Sequence, residues 1–587
     1  MAVLLVALAS PVTAFDLVRL DFAEVPTDVR EDLRSASLLV TTRGEGVTDP
    51  AEILAAANED YARLLAVLYE NGYFGGTIRI ALDGREAANI APLDAPAGVR
   101  VATITVRPGR IYRFSGTIID PRARSTLAVD GFRPGEVART GPIRDAAREA
   151  IDAWRRQGHA LANIDSQEIT ANHVDRSVSV DLRVATGPRL KFGEVTVAGN
   201  ERTRIGRVRK IAGIPAGEVY TPAAMQAAAD RLRRTGTFRS VRLSEAAGSD
   251  GTLDVQIDLV EERLRRFGAG VEIGSDEGLT LSGFWLHRNL SGGAERLRFD
   301  AEVAGIGGDT GGIDWTLGAS GRRPATYGAA TDLTLDAEIA LLDEPDFRST
   351  GLSLGAGLER RVRPDFAVDA GVELRASTVE DDTGETDYRQ LFFPIGATLD
   401  RRDGPLDSAD GFFIDVEAAP FAGFSGSESG VRFTADGRIY EDFGAEERLV
   451  LAARVQIGSI LGASETGLPN DQRFYSGGGG TVRGQDYQAL GVELPGGVES
   501  GGRSFVGASF EVRTRISDLI SLVGFADWGY VGTEGLPGGD GDSHSGAGLG
   551  LRYDTGIGPL RVDLGVPVNG TSGGSEYSVY IGIGQAF

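Results

Sequence analysis

The chain has 587 residues, with 60 Lys and Arg against 84 Asp and Glu for a net charge of −24, no Cys and 4 His. Without Cys the chain cannot form disulfides or thiolate sites, and no histidine has a second one at ligand spacing, so we predict no metal and no cofactor. A polyanion of this size binds nucleic acid poorly, so we also predict no nucleic-acid partner. The 82 glycines favour β structure with many turns, and no apolar run reaches the roughly 20 residues of a spanning helix, so a membrane role would require a β-barrel.

The N-terminus reads as a secretory signal. Ala2 to Ala9 form an apolar region, and Val12-Thr13-Ala14 form a small-residue cleavage site, which predicts a signal peptide over residues 1–14 and a mature protein from Phe15. The basic region that normally precedes the apolar one is missing. A start codon placed too far downstream, or a strand or helix of the mature protein, are the alternatives.

Three helix patterns follow, each beginning with a proline and ending with a glycine. They run from Pro50 to Gly72, from Pro142 to Gly158 and from Pro222 to Gly236. Asp49 and Thr221 stand at the N-cap positions of the first and third. Proline is tolerated in the first helical turn and glycine ends helices, so these patterns predict three amphipathic helices.

Short strands follow each helix, and the pattern repeats. Phe114 and Phe192 are 78 residues apart, and so are Gly158 and Gly236, a coincidence that indicates an internal repeat. The predicted strands are 77–82, 162–169, 178–184, 240–243 and 253–259, with entry strands at 109–114 and 187–192. We predict three β-α-β-β modules over residues 15–107, 108–186 and 187–263, each too small for a deep enzyme cleft.

From about residue 264 alternating segments replace the helix patterns. Val431 to Tyr440 and Leu451 to Ile457 each place apolar residues on one face and polar residues on the other, as in a soluble sandwich or a membrane barrel. At roughly 20 residues per strand with its connections, residues 264–587 predict about 16 antiparallel strands. Connections such as Glu380 to Asp387 and Gly535 to Gly546 suit the extracellular side, and the tight Arg401 to Gly404 suits the periplasmic side.

Four motifs in this region resemble a known family. They are Arg473 to Gly478 leading to Val482-Arg483-Gly484-Gln485, Phe525-Ala526-Asp527-Trp528-Gly529, Asp400 to Asp403 with Gly411, and Gly556 to Asp563. With the preceding modules they resemble the outer-membrane insertase and two-partner-secretion superfamily, in which POTRA domains of β-α-α-β-β plan precede a transmembrane barrel. Three modules are most similar to the TamA family within it.

The resemblance implies a site inside the barrel. Val482, Arg483 and Gly484 match the motif of the sixth extracellular loop, which folds back into the lumen, and Asp527, with Phe525 and Gly529, matches its carboxylate partner. We predict that Arg483 pairs with Asp527 through a charge-assisted hydrogen bond. Gln485 stands where the family usually has an aromatic residue.

The resemblance also draws attention to the first and last strands. The chain ends in a segment, Tyr580 to Phe587, similar to a C-terminal β-signal with its terminal Phe587. Glycines flank the closing seam at Gly268, Gly270, Gly582 and Gly584. Glycine weakens strands, so we expect the seam to be the weakest ladder and to open laterally. The alternative is that these glycines only fit the curvature of the barrel.

The implied function is assembly or secretion of β-barrel clients such as autotransporters at the bacterial outer membrane, with the modules in the periplasm. The implied partners are a TamB-like periplasmic protein anchored in the inner membrane, unfolded outer-membrane proteins and outer-membrane lipid. The alternatives are a two-partner-secretion transporter, a BamA-like assembly factor, or lipid transport with the TamB-like partner. We predict no catalytic residue, because Ser353 of the G-x-S-x-G match at Gly351 to Gly355 lies inside an alternating run.

Overall fold

The computed structural model describes residues 15–587 except 23, 309–310, 445–447, 495–496, 539, 556–557 and 571–575. The predicted signal peptide, residues 1–14, lies outside the described residues. The chain divides into two compact units, one of residues 1–194, 215–224 and 245–255 and the other of residues 195–214, 225–244 and 256–587. None of the helices in the described ranges has the length and apolar character needed to cross a bilayer.

The first module has three helices over a four-stranded sheet. Its elements are β1 Leu17–Asp21, α1 Thr27–Ala36, α2 Leu38–Gly44, α3 Pro50–Glu70, β2 Thr77–Leu82, β3 Arg85–Glu86 and β4 Val101–Arg107, with strand order β1-β4-β2-β3. Helix α3 begins at the predicted proline, and the Asp49 side chain accepts a hydrogen bond from the Ala51 N–H at 3.0 Å. The sequence patterns did not predict α1 and α2.

The second and third modules each have a three-stranded sheet. The second contains β5 Arg113–Asp120, α4 Thr140–Arg156, β6 Asn163–Asn172 and β7 Ser177–Ala185, ordered β5-β7-β6. The third contains β8 Lys191–Ala198, α5 Ile205–Ala212, α6 Pro222–Arg234, β9 Phe238–Ala247 and β10 Thr252–Glu261, ordered β8-β10-β9. The two-helix plan is found in the third module, whereas residues 121–139 of the second form no regular helix.

The C-terminal region is a closed barrel. Its strands are β11 Arg265–Gly274, β12 Gly278–Arg288, β13 Arg296–Ile306, β14 Asp314–Arg323, β15 Thr331–Glu344, β16 Phe347–Arg363, β17 Phe366–Asp381, β18 Gly384–Phe392, β19 Ile395–Asp400, β20 Gly411–Phe424, β21 Gly430–Phe443, β22 Leu449–Leu461, β25 Ser504–Ser517, β26 Ile520–Gly532, β27 Gly541–Tyr553, β28 Leu560–Asn569 and β29 Ser578–Ile583. A small hairpin, β23 Val492–Leu494 and β24 Val498–Ser500, lies outside the barrel order.

Two of these segments are halves of one barrel strand. Both β18 and β19 pair with β17 on one side and with β20 on the other. Pro394 lies between them and has no N–H to donate to a ladder, which explains the interruption. The barrel therefore has 16 antiparallel strands, and the predicted fold class of α+β modules followed by an all-β barrel is confirmed.

Side chains alternate between the two faces of the barrel wall. Leu317, Leu335 and Leu354 are each about half exposed on the outer face, whereas their sequence neighbours are small, polar or charged. An apolar exterior and a polar lumen are the arrangement of a membrane barrel. A soluble two-sheet sandwich is excluded because the strand order closes on itself.

The connections differ from the sequence predictions in length. Glu380 to Asp387 is mostly strand, with only residues 382–383 between β17 and β18, and part of Gly535 to Gly546 belongs to β27. Arg401 to Gly404 opens a longer connection over residues 401–410. Acidic and glycine residues are thus tolerated inside barrel strands here, and composition alone did not separate turn from strand.

We call the end where β11 begins the module-side end, and the opposite end the far end.

Candidate functional site

The segment between β22 and β25, residues 462–503, enters the barrel from the far end. It carries Val482 and Arg483, which are 0% and 3% exposed. Its two arms pair with one another, since the Phe474 N–H donates to Gly502 O and the Gly502 N–H donates to Phe474 O. We call this segment the lumen loop.

Arg483 of the lumen loop meets the predicted carboxylate. Its Nε lies 2.7 Å from Asp527 Oδ2 and its Nη2 lies 3.0 Å from Oδ1. The backbone N–H of Arg483 also donates to Asp527 Oδ2, at 3.1 Å. One carboxylate on β26 therefore fixes both the side chain and the main chain of the loop. A bidentate arginine-carboxylate pair specifies orientation as well as attraction.

Phe525, Gly529 and Gly484 of the motifs support the contact between Arg483 and Asp527. The guanidinium carbon of Arg483 lies 3.7 Å from the centre of the Phe525 ring, within the range of a cation–π interaction. A Cβ on Gly529 would come within 2.2 Å of Ser476 Oγ, and one on Gly484 within 2.6 Å of the Val566 backbone nitrogen. The glycines thus give the loop room to lie against the wall.

Arg483 is part of a larger buried charge cluster that the sequence did not reveal. Its Nη1 lies 2.6 Å from Glu511 Oε1 and 3.2 Å from Asp563 Oδ2. Arg513 pairs with Glu511 at 2.9 Å, and Arg552 pairs with Asp563. These six side chains, Arg483, Glu511, Arg513, Asp527, Arg552 and Asp563, are the charge cluster named below. With three cations and three anions, the cluster is balanced.

The positions of Glu511, Arg513, Arg552 and Asp563 could have been suspected from one signal. Each is a charged residue on the inward face of a strand in the final part of the barrel. Strand neighbours and register are needed to show that they meet, and those come from the fold.

Gln485, which replaces the usual aromatic residue, has a different role from stacking. It is fully buried, and its Nε2 donates to Ser545 O at 2.8 Å and to Asn569 O at 3.1 Å. Nearby, His544 Nε2 lies 2.8 Å from Ser476 Oγ. The loop is therefore bonded to the ends of β27 and β28 as well as to the charge cluster.

The seam between the first and last strands is short. β11 and β29 share the register pairs Ile273 with Ile581 and Gly274 with Tyr580, whereas β11 pairs with β12 along its whole length. The seam pairs lie at the far end. There the Ser275 N–H also donates to Val579 O at 2.9 Å.

The four glycines near the seam form no ladder pair with one another. A Cβ on Gly268 would lie 2.1 Å from the Phe284 ring and one on Gly270 would lie 2.6 Å from Ser282 Oγ, so these two make room for side chains of β12. Gly582 lies in β29, and Gly584 lies beyond its end with φ +101°. The register pairs between β11 and β29 stop at Ile273 with Ile581, so none of these four glycines belongs to a seam pair.

The C-terminal residues leave the barrel wall after Ile583. The Gly584 N–H donates to Pro559 O at 2.7 Å and the Gln585 N–H donates to Leu406 O at 3.3 Å. The Phe587 ring lies 6.4 Å from that of Tyr440, and Arg513 Nη2 donates to Phe587 O at 3.2 Å. Arg513 belongs to the charge cluster, so this tail of residues 584–587 turns inward rather than completing the seam.

A closed 16-strand barrel with an arginine loop bound in its lumen, preceded by small α+β modules, defines an outer-membrane barrel of the insertase and transporter class. The model of the Omp85 superfamily domain matches residues 289–587, and the model of the POTRA domain, described as a surface antigen variable number repeat, matches residues 190–262. The chain belongs to the Omp85 superfamily. That membership implies the outer membrane, and periplasmic modules are consistent with it.

Solved structures have the same fold at low identity. BamA from Haemophilus ducreyi lacking POTRA domains 1–3 is 17% identical with a TM-score of 0.61, over 80% of this chain and 100% of that one. CdiB from Acinetobacter baumannii is 14% identical with a TM-score of 0.53, over 81% and 90%. CdiB from Escherichia coli is 13% identical with a TM-score of 0.51, over 81% and 91%.

Proposed function

We propose that this protein inserts β-barrel clients into the outer membrane, or passes them across it, by lateral opening of the seam between β11 and β29. The observation that carries the proposal is the length of that ladder. Two register pairs join β11 to β29, against ten between β11 and β12. Because each ladder pair contributes hydrogen bonds and side-chain contacts, the seam is the weakest junction to separate.

The seam also offers a template. Residues 265–272 of β11 have no β29 partner within the described part of the chain, and the tail after Ile583 is bonded elsewhere. Unpaired N–H and C=O groups on a strand edge bind an extended chain by adding a strand. A client strand would pair with this part of β11 first, at the module-side end, and then displace the two remaining seam pairs.

The modules supply further edges for clients or a partner. We propose module bounds of 15–107, 108–186 and 187–263, with the barrel over 264–587. Strand β6 in the second module and β9 in the third stand at the edges of their sheets, and exposed edges support strand addition. In this proposal the modules face the periplasm, and the first module binds a TamB-like protein anchored in the inner membrane.

Within the superfamily we favour a TamA-like assembly role over a two-partner-secretion transporter. A transporter of that kind would usually bring a plug helix and two modules. Here three separate sheets precede the barrel, and the α-helices of the described residues lie between residues 27 and 234. A BamA-like assembly factor and a lipid transporter would use the same seam. The proposal includes no catalysis, since Ser353 lies within β16.

Cross-linking the seam tests the proposal. Ile273 and Ile581 are directly opposed, and opposed residues in an antiparallel ladder have Cα atoms about 4.5–5.5 Å apart, which suits a disulfide. The native chain has no Cys, so Ile273→Cys with Ile581→Cys forms one defined bridge. The full-length protein in liposomes is given a urea-denatured autotransporter β-domain, and insertion is followed by protease protection.

We expect the bridged protein to lose insertion and to regain it when a reductant opens the bridge. The matched control is Val271→Cys with Leu281→Cys, which bridges β11 to β12 across a ladder that stays closed in the proposed cycle. The control should insert the client at the wild-type rate in both redox states. Undiminished insertion by the bridged seam variant would contradict lateral opening.

A further inference from the structure

Arginines converge on a cavity at the module-side mouth of the barrel. The cavity has a volume of about 130 Å³ and lies between the third module and the lumen wall. Arg231 and Arg234 reach it from α6, and Arg296, Arg322 and Arg361 reach it from β13, β14 and β16. In a chain with a net charge of −24, such a concentration of positive charge runs against the overall composition.

The acidic residues of this cavity are already engaged. Its two carboxylates belong to Asp332 and Glu359. Arg322 contacts Asp332 at 2.9 Å and Glu359 at 2.5 Å, and Arg361 also lies 3.7 Å from Glu359. Arg231 is engaged in another way, since its Nε donates to Ile211 O at 3.1 Å at the C-terminal end of α5.

Arg234 and Arg296 have no carboxylate in direct contact among the described residues. Within the ranges that the structure describes, neither forms an ion pair or a hydrogen bond with an acidic side chain. The charged groups that act most strongly on Arg296 are other arginines, Arg322 and Arg288 first. Burial and then Arg361 lower the pKa of Arg234, and the more distant carboxylates of Asp230 and Asp332 only partly oppose them. Cations held together in a partly dehydrated cavity repel one another unless an anion joins them.

We propose that this cavity binds a phosphate group between the guanidinium forks of Arg234 and Arg296. A guanidinium presents parallel N–H donors that match two oxygens of a phosphate. A phosphate has enough oxygens to serve two forks at once, whereas a carboxylate has two oxygens in all. The excess of arginine over carboxylate in the lining also suits an anion that carries more than one charge.

The group would come from a lipid headgroup or from a free phosphate. Either source supplies the same oxygens to the same two side chains. The inference does not depend on opening of the seam, because none of the cavity residues belongs to β11 or β29.

Binding to the purified full-length protein tests the proposal. Isothermal titration in an uncharged maltoside detergent, at about 0.15 M NaCl to screen diffuse attraction, uses two probes: inorganic phosphate and dihexanoylphosphatidylglycerol. The test variant is Arg234→Gln with Arg296→Gln. The matched control, Arg233→Gln with Arg265→Gln, removes the same charge from α6 and from the start of β11 but leaves the cavity intact.

We expect the wild type to bind at least one probe saturably, the test variant to bind it at least about tenfold more weakly, and the control to stay within about twofold. Binding of phosphate and lipid alike would identify a free oxyanion site, and binding of lipid alone would identify a headgroup site; both support the proposal. No saturable binding by the wild type, or an equal loss in the control, would overturn it.

A second variant guards against misfolding, which is checked by the heat-dependent gel migration of the barrel. Arg234→Lys with Arg296→Lys keeps both charges but removes the forks. We expect it to fold and to bind several-fold more weakly than the wild type. Wild-type affinity in the lysine variant would overturn the bidentate arrangement.

Discussion

Replacing Arg483 by alanine should free the lumen loop from the barrel wall without unfolding the barrel. The side chain is 3% exposed, and the carboxylates of Glu511, Asp527 and Asp563 that surround it are at most 1% exposed. Its removal leaves three carboxylates facing two arginines, so one negative charge is buried without a partner. Breaking a buried ion pair on one side costs about 3–5 kcal/mol.

That cost falls on docking of the loop rather than on the sixteen-strand ladder. The undocked loop can hydrate Asp527 from the lumen, so the expected shift is about a hundredfold or more in the ratio of docked to undocked loop. Hydrogen exchange of the amides of residues 477–490 in the full-length protein measures this ratio directly. Heat-dependent gel migration reports that the barrel is still closed.

Two further variants sharpen the test of Arg483→Ala. Adding Asp527→Asn removes the stranded charge and should recover part of the loss, because an unpaired buried charge is the main cost. Arg348→Ala is the control, since Arg348 pairs with Asp343 at the far end but is 69% exposed, and an exposed pair contributes about 0–1 kcal/mol. Wild-type exchange rates in Arg483→Ala would refute the reasoning.

Three further predictions concern single positions. Gly484→Ala should displace the loop as Arg483→Ala does, because the new Cβ would lie within 2.6 Å of the Val566 backbone at φ +92°; trypsin sensitivity of the loop measures it. Asp60→Ala should destabilise α2 by about 2–4 kcal/mol, since the carboxylate accepts hydrogen bonds from Ser37 Oγ and from two backbone N–H groups. Hydrogen exchange of the amides of residues 37–44 measures this loss of stability, which should be smaller in Asp60→Asn. For Glu261, burial raises the carboxyl pKa, but the N–H donors of residues 201–203 outweigh it, so the folded pKa is below 4.5. The stabilisation of these amides should be present above pH 4.5 and be lost at lower pH, and Glu261→Gln, whose amide oxygen accepts hydrogen bonds but does not titrate, should remove this pH dependence.

Much of the fold could be predicted from alternation, because a barrel wall gives every strand one lipid face and one wet face. The number of strands follows from the length of the alternating region, and the helix that begins at Pro50 follows from its cap residue, its first-turn proline and its terminal glycine. Helices α1, α2 and α5 do not, since they have only 7–10 residues and derive most of their stability from packing in the module rather than from a long apolar stripe.

The site was predictable only in part. Arg483 and Asp527 could be paired because both lie in recognisable motifs. Glu511 lies in none of the motifs, and Asp563 ends the Gly556 to Asp563 motif, which indicated no partner for it. Their contact with Arg483 depends on which strands are neighbours and on the register between them. The inward turn of the tail was hidden for a similar reason, since Tyr580 to Phe587 reads as one strand until Gly584 adopts a positive φ.

The charge cluster fixes the position of the lumen loop more than it stabilises the fold. Buried ion pairs are often no more stable than apolar residues of the same size, but they accept only one arrangement of partners. The partners of Arg483 lie on β25, β26 and β28, so the cluster ties the lumen loop to the last part of the barrel.

The loop also touches the first strands. The Gly479 N–H donates to Glu277 in the turn between β11 and β12 at 2.8 Å, and the Gly484 N–H donates to Tyr580 Oη on β29 at 3.2 Å. If β11 separates from β29, the bond to Glu277 must break, while the contacts to Tyr580 and the charge cluster can remain. The loop should therefore stay with the last strands during opening, because the hydrogen bond to Glu277 is weaker than the buried contacts of Arg483 with three carboxylates.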